Sequence, residues 1–172
     1  MPLKLDDIDK RLMRELQADA RISNAALSRM VNLTEGAVRR RVDNLVKGGA
    51  LRIVGVSDPY TMGLKTHAVI SMRIAADQVE PLLVRFSQMR EFSYVYQTIG
   101  QFDIMGVGFF SSNEQMREFL INTLAPIEGV LETQTFLIVK TAKRSYRWGE
   151  AGDNSATPYF NDDTASIITS RS

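Results

Sequence analysis

The sequence predicts an α+β chain in two parts, a head of three short helices and a larger body in which strands and helices alternate. Three observations predict it. Apolar residues recur at helical spacing through the first fifty positions. From Thr66 onward, apolar runs of strand length alternate with helical stretches, and Ser57-Asp58-Pro59 breaks the chain between the two patterns. The domains expected on this basis are 1–50 for the head, 51–63 for a strand and hinge linker, 64–147 for the body and 148–172 for a tail.

A chain of 172 residues has room for two small domains, and its 44% apolar and 24% charged residues are those of a folded protein rather than a disordered one. There is no cysteine and only one histidine. Disulfide frameworks, thiol nucleophiles and multi-histidine metal sites are thereby set aside, and neither a metal nor a cofactor is expected. The opening MPLKLDDIDKR turns acidic at once, and no stretch approaches the ~20 apolar residues of a membrane span. A cytoplasmic chain with no membrane partner is expected.

The first helix is opened by Asp6 and buries Ile8, Leu12 and Leu16, with a turn at Asp19-Ala20-Arg21. Ser23 caps the second, a short helix that Ile22 and Leu27 staple and that ends near Met30-Val31 before Asn32. Thr34 caps the third, whose buried stripe is Val38, Val42 and Leu45 and whose stop is Gly48-Gly49. Two capped helices separated by a tight turn make a helix-turn-helix, in which the second helix of the pair can enter the major groove. Residues 50–56 then alternate partly like a short strand, which would make the head a winged helix-turn-helix.

In the body, the strand HAVISMRI precedes a helix opened by Asp77 that faces Val79, Leu82, Leu83 and Phe86 inward. The strands SYVYQTI and IMGVGFF follow, then a helix carrying Met116, Phe119 and Leu120, and the strand ETQTFLIV. The order βαββαβ is the ferredoxin-like split unit, with an antiparallel sheet covered by two helices on one face. Its other face needs a partner, so a dimer at least is expected. The tail is small and polar; Trp148 is read as its anchor and 166–169 as a possible edge strand.

With Val38 and Val42 turned inward, Gly36, Arg39, Arg40, Asp43 and Lys47 point outward on the third helix, with Glu35 and Asn44 at the flanks and Arg41 nearer the buried edge. Arginine can bond guanine bidentately or grip phosphate, and Asn44 can bond a base edge or the backbone. The candidate DNA contacts are therefore Ser23, Thr34, Glu35, Gly36, Arg39, Arg40, Arg41, Asn44 and Lys47, with Ser23 and Thr34 serving first as caps. Charge agrees in sign: residues 1–60 hold 11 Lys/Arg against 8 Asp/Glu, whereas residues 61–142 hold 6 against 8. A solvated basic helix face would look the same in isolation; the caps and the turn favour the groove.

These residues resemble the Lrp/AsnC, or feast/famine, regulators of bacteria and archaea over almost the whole chain. LDDIDKRLMRELQADARISNAALSRMVNLTEGAVRRRVDNLVKGGAL is similar to that family's head, GQFDIMGVGF to its GxxD signature, and PIEGVLETQTFLIVKTAK to its closing segment. The resemblance implies a homodimer or an assembly of dimers, often an octamer, with an amino acid or related effector bound between subunits. It places the effector loop on Gly100, Phe102 and Asp103 and a facing strand on Thr133 and Thr135. Asp103 can pair with an ammonium group, while amides and threonine hydroxyls receive a carboxylate. The same residues also read as a tight turn, its cap and ordinary strand positions. Ile104 stands where many relatives carry an aromatic residue, which implies a different pocket shape.

The expected function is a sequence-specific transcription regulator whose partners are double-stranded DNA, an amino-acid-like effector and further copies of itself. The alternative is an architectural DNA-binding protein with little effector dependence. An enzyme is not expected, because no matched acid, base and nucleophile set exists: there is no GxxxxGKS/T, GxSxG or HExxH. His67 reads as a structural histidine of an apolar strand, Gly106 and Gly108 as points of close approach, and the methionines as packing.

Overall fold

The structure, a computed structural model, describes residues 4–144. The tail expected over 148–172, with Trp148 and the segment 166–169, lies outside the described residues. The chain divides into two compact units, one built on the residues up to Val56 and the other beginning at Ser57.

The head holds α1 (Asp7–Ala18), α2 (Asn24–Val31) and α3 (Glu35–Lys47). Each begins at the cap its sequence announces. Asp6 Oδ1 accepts from the Asp9 amide at 2.7 Å while Asp9 Oδ2 accepts from the Asp6 amide at 3.2 Å, a reciprocal capping box. Ser23 Oγ accepts from the Ala26 amide at 3.1 Å and Thr34 Oγ1 from the Ala37 amide at 3.3 Å. Asn32 ends α2 at φ 54°, the left-handed conformation that asparagine tolerates. Leu12, Leu16, Leu27, Val38, Leu45 and Leu51 are buried together at the centre, with Ile8, Ile22, Leu33 and Val42 packed around them.

Beyond Leu51 the expected strand does not form. Residues 51–58 carry no regular secondary structure, and Ile53, Val54 and Val56 are exposed. Alternation fixes which side chains a strand would bury, but a strand also needs a neighbour for its amides and carbonyls, and none of the described residues pairs with this segment.

The second unit holds β1 (Thr66–Ile74), α4 (Val79–Ser87), β2 (Phe92–Gln97), β3 (Ile104–Phe110), α5 (Asn113–Glu118) and β4 (Val130–Leu137). The strands form one antiparallel sheet in the order β2-β3-β1-β4, the βαββαβ arrangement read from the sequence. Two details differ from that reading. The N-cap of α4 is Gln78, with no side-chain bond to the helix, because Asp77 belongs to the preceding turn closed by Gln78 N to Ala75 O. The helix after β3 widens after Glu118 into a π-helical turn, Phe119–Leu124. That turn lets Phe119 and Leu124, five positions apart, both enter the core, where an α-helix would splay them apart.

Ile70, Met72, Ile74 and Ile104 pack on one sheet face against Leu82, Phe86, Phe119 and Leu124 from the helices. The Phe92 ring lies close against Gly106: a Cβ there would meet it at 2.4 Å. The register assigns the opposite face to Tyr94 and Tyr96 of β2, Met105, Val107 and Phe109 of β3, Val69 and Ser71 of β1, and Phe136 of β4. Tyr94 and Tyr96 stack at 6.1 Å on this face and, like Phe136, remain exposed. No helix of the described residues is long and apolar enough to cross a membrane.

Candidate nucleic-acid interface and effector loop

The Thr34 cap fixes where α3 starts, and burial of Val38 and Leu45 fixes how it is rotated. Glu35, Gly36, Arg39, Arg40, Asp43, Asn44 and Lys47 are all exposed. Around the helix, Gly36, Arg40 and Lys47 lie opposite the buried stripe; Arg39 falls to one side and Asn44 to the flank toward α1. A Cβ on Gly36 would meet nothing within 4 Å. A helical glycine costs about 0.8–1.0 kcal/mol relative to alanine, and nothing in the head requires it at this position. The hydroxyls of Ser23 and Thr34 accept from amides as caps, which leaves each hydroxyl hydrogen for donation outward. Lys47 sits in the last turn, where a cation complements the helix dipole.

Arg41 is placed differently from its neighbours. Its Nη1 donates to Asp6 Oδ2 at 2.8 Å and to Asp9 Oδ1 at 2.7 Å, so it joins α3 to the capping box that opens α1. The amide of Asp9 and then Arg41 hold the Asp6 carboxyl below its ordinary range, and the bonds to Asp9 and Asp6 raise the guanidinium further. Arg41 therefore differs from Arg39 and Arg40 in that its charge is answered twice within the head. Lys4 was not among the residues singled out from the sequence. It lines, with Asp9, Arg40, Arg41, Asn44 and Leu45, a cleft of about 310 Å³.

The loop between β2 and β3 is held from within. Thr98 Oγ1 donates to the Phe102 carbonyl at 2.6 Å and the Thr98 amide to the Asp103 carbonyl at 2.8 Å. Gly100 has φ 149°, a conformation other residues rarely adopt. Phe102 is buried, and Ile99 beside Gly100 is fully exposed. Asp103 continues the ladder beyond β3: its amide donates to Met72 O at 2.9 Å and its Oδ2 accepts from the Ile74 amide at 2.8 Å. Gly100 thus forms the turn, whereas one carboxylate oxygen of Asp103 is committed to β1 rather than to that turn.

Thr133 pairs with Met72 and Thr135 with Ile70, so both threonines lie on the edge strand β4, and β1 stands between them and the Asp103 loop. Within one copy the structure does not bring the two halves of the expected effector site together. His67 stacks on Phe109 at 4.1 Å, and no group of three or more potential metal ligands occurs among the described residues.

Asp103→Ala is expected to lower stability by about 1–3 kcal/mol in urea unfolding, since it orphans the Ile74 amide. Asp103→Asn, whose amide oxygen still accepts that bond, should cost less than about 1 kcal/mol. Equal losses for the two variants would remove the Ile74 bond as the reason for the aspartate.

Comparison with known proteins finds matches across both units. Residues 5–46 match the AsnC-type helix-turn-helix domain and residues 67–148 the Lrp/AsnC ligand binding domain. An uncharacterised HTH-type transcriptional regulator of Pyrococcus furiosus is 29% identical over 143 residues, covering 83% of this chain and 97% of that one. An HTH-type transcriptional regulator of Methanocaldococcus jannaschii is 29% identical over 140 residues, covering 81% and 95%. Among solved structures, a transcriptional regulator of Neisseria meningitidis in complex with L-methionine superposes with a TM-score of 0.76 at 25% identity, covering 83% of this chain and 95% of that one. AsnC of Escherichia coli superposes with a TM-score of 0.76 at 19% identity, covering 83% and 97%, a likeness of fold.

Proposed function

From the premise that this chain belongs to the Lrp/AsnC family, as a helix-turn-helix transcriptional regulator with a ligand-binding domain and not an enzyme, we propose that it reads a specific operator through α3 and answers to an amino-acid effector. One observation carries the DNA reading: the capped helix α3 turns Arg39, Arg40 and Lys47 to solvent, away from the buried Val38 and Leu45. Arg39 and Arg40 contact bases or phosphates, Asn44 and Lys47 follow along the same helix, and the amides and hydroxyls at the Ser23 and Thr34 caps meet the backbone. Glu35 and Gly36 sit at the end of α3 that enters the groove, where the side-chain-free Gly36 permits close approach.

In the second unit, the exposed Tyr94, Tyr96 and Phe136 favour a homodimer formed through the open sheet face, with further assembly to a higher oligomer such as an octamer. The effector is an amino acid or a close relative, bound between subunits by Gly100, Phe102 and Asp103 of one and Thr133 and Thr135 of another. The L-methionine held by a structural neighbour favours that class. Phe102 contributes by shaping the loop from below, since its ring is buried. The effector acts by binding two assembly states unequally.

The test is retention of a promoter duplex at low salt, followed by thermal-shift screening of the common amino acids on free and operator-bound protein. Specific retention together with a shift from at least one amino acid is the expected result. Failure to retain any duplex would end the DNA reading; equal retention of promoter and bulk DNA with no amino-acid response would replace it with an architectural role.

A further inference from the structure

We infer that the cleft between the N-terminal arm, α1 and α3 is a seat for one backbone phosphate of the bound duplex, held by Lys4 and Arg40 with Asn44 beside them. The inference rests on the DNA reading above and adds to it a contact from outside the recognition helix.

The cleft is lined by Lys4, Asp9, Arg40, Arg41, Asn44 and Leu45 and has a volume of about 310 Å³. Its charge decides what it can hold. Asp9 is the only acid in the lining, and both of its carboxylate oxygens are engaged, Oδ1 by Arg41 and Oδ2 by the Asp6 amide. Arg41 in turn is answered by Asp6 as well as Asp9. Asp6, Asp9 and Arg41 therefore form a closed group that makes the wall. Lys4 and Arg40 are the two cations left over, and among the described residues neither has an acid within ion-pair distance. Both are exposed.

Two uncompensated cations lining one concave gap, with an amide donor one turn from the arginine, suit a compact anion with several acceptor oxygens. Arg40 and Asn44 are four residues apart on α3 and share the flank toward α1. A duplex whose groove admits α3 passes its sugar-phosphate backbone along the flanks of that helix, which brings phosphodiesters rather than free anions to this gap. A phosphate seated there fixes how far α3 enters and at what angle, without reading sequence.

The experiment is a salt titration of binding to an operator duplex and to an unrelated duplex by full-length wild type, Lys4→Gln, Arg40→Gln and, as a charge-matched control in the other unit, Arg85→Gln. Each phosphate contact removed should shallow the slope of log K against log salt by about 0.9. Lys4→Gln is expected to show that change and to lose about the same factor, on the order of 3- to 10-fold, on both duplexes; Arg85→Gln should keep the wild-type slope. Unchanged slopes in Lys4→Gln and Arg40→Gln, with wild type still binding, would overturn the seat while leaving the DNA reading intact. Absence of binding by wild type would overturn both. A rise in wild-type melting temperature with millimolar inorganic phosphate, lost in Lys4→Gln while the DNA slope is unchanged, would assign the cleft to a free anion and overturn the inference.

Discussion

Gly106→Val should unfold the second unit in urea well before the wild type, with a loss of about 3 kcal/mol or more against the 1–3 kcal/mol typical of an overpacked core. The reason is local and geometric. A Cβ at Gly106 would lie 2.4, 2.6 and 2.9 Å from three atoms of the Phe92 ring. The ring cannot give way, because it is buried and meets Phe86 and Phe119 edge-on at centroid distances of 6.3 and 5.5 Å. Gly106 also pairs with Ile70 and Val95, so its backbone cannot retreat without breaking the centre of the sheet. Domains of this size carry about 5–15 kcal/mol in all, so one valine removes a large part. Gly36→Ala is the counterpart: with open space at its Cβ, it should leave the fold intact or stabilise it by up to about 1 kcal/mol. A Gly106→Val protein with unchanged urea midpoint would show that Phe92 can move and that the packing argument is wrong.

Arg39→Ala and Arg40→Ala should each weaken operator binding by about 1–3 kcal/mol, and the double variant by about 2–6 kcal/mol, roughly 30-fold or more. Both side chains are exposed, neither supports the fold, and the helix that carries them is held by its cap and by the Arg41 tie. The two losses should differ in kind. Arg40 borders the cleft toward α1, so its loss should fall alike on operator and unrelated duplex. Arg39 lies on the other side of α3, and its loss should fall mainly on the operator if it reads a base edge. The ratio of specific to non-specific binding, measured for each variant, separates these outcomes; unchanged affinity in both would remove α3 from the interface.

The parts of this molecule legible in the sequence are those whose causes are local. A cap and the amide it serves lie three residues apart, so Asp6, Ser23 and Thr34 announced all three helices of the head. Alternation announced the strands of the second unit, and residues 104–110 were read to their ends. What escaped depends on distant partners. Arg41 reads as lying nearer the buried edge, but its tie to α1 is not legible because its carboxylates lie 35 and 32 positions away. Residues 50–56 carried a strand's alternation without a neighbour to pair with. The Ile74 amide that occupies Asp103 is 29 positions away, so the aspartate read equally as a loop cap or as a ligand for an ammonium group. The π turn left only a faint trace, an apolar spacing of five between Phe119 and Leu124.

The position of β1 between the Asp103 loop and the threonine strand has a genetic consequence. Two strand spacings, about 9.5 Å, separate the halves, more than a single α-amino acid spans between its ammonium and carboxylate. If a ligand site needs one half from each of two copies, variants defective in opposite halves should complement. Co-expressing Asp103→Asn with a Thr133→Val, Thr135→Val chain would regenerate intact sites wherever unlike chains meet, and responsiveness absent from either pure population would return in the mixture.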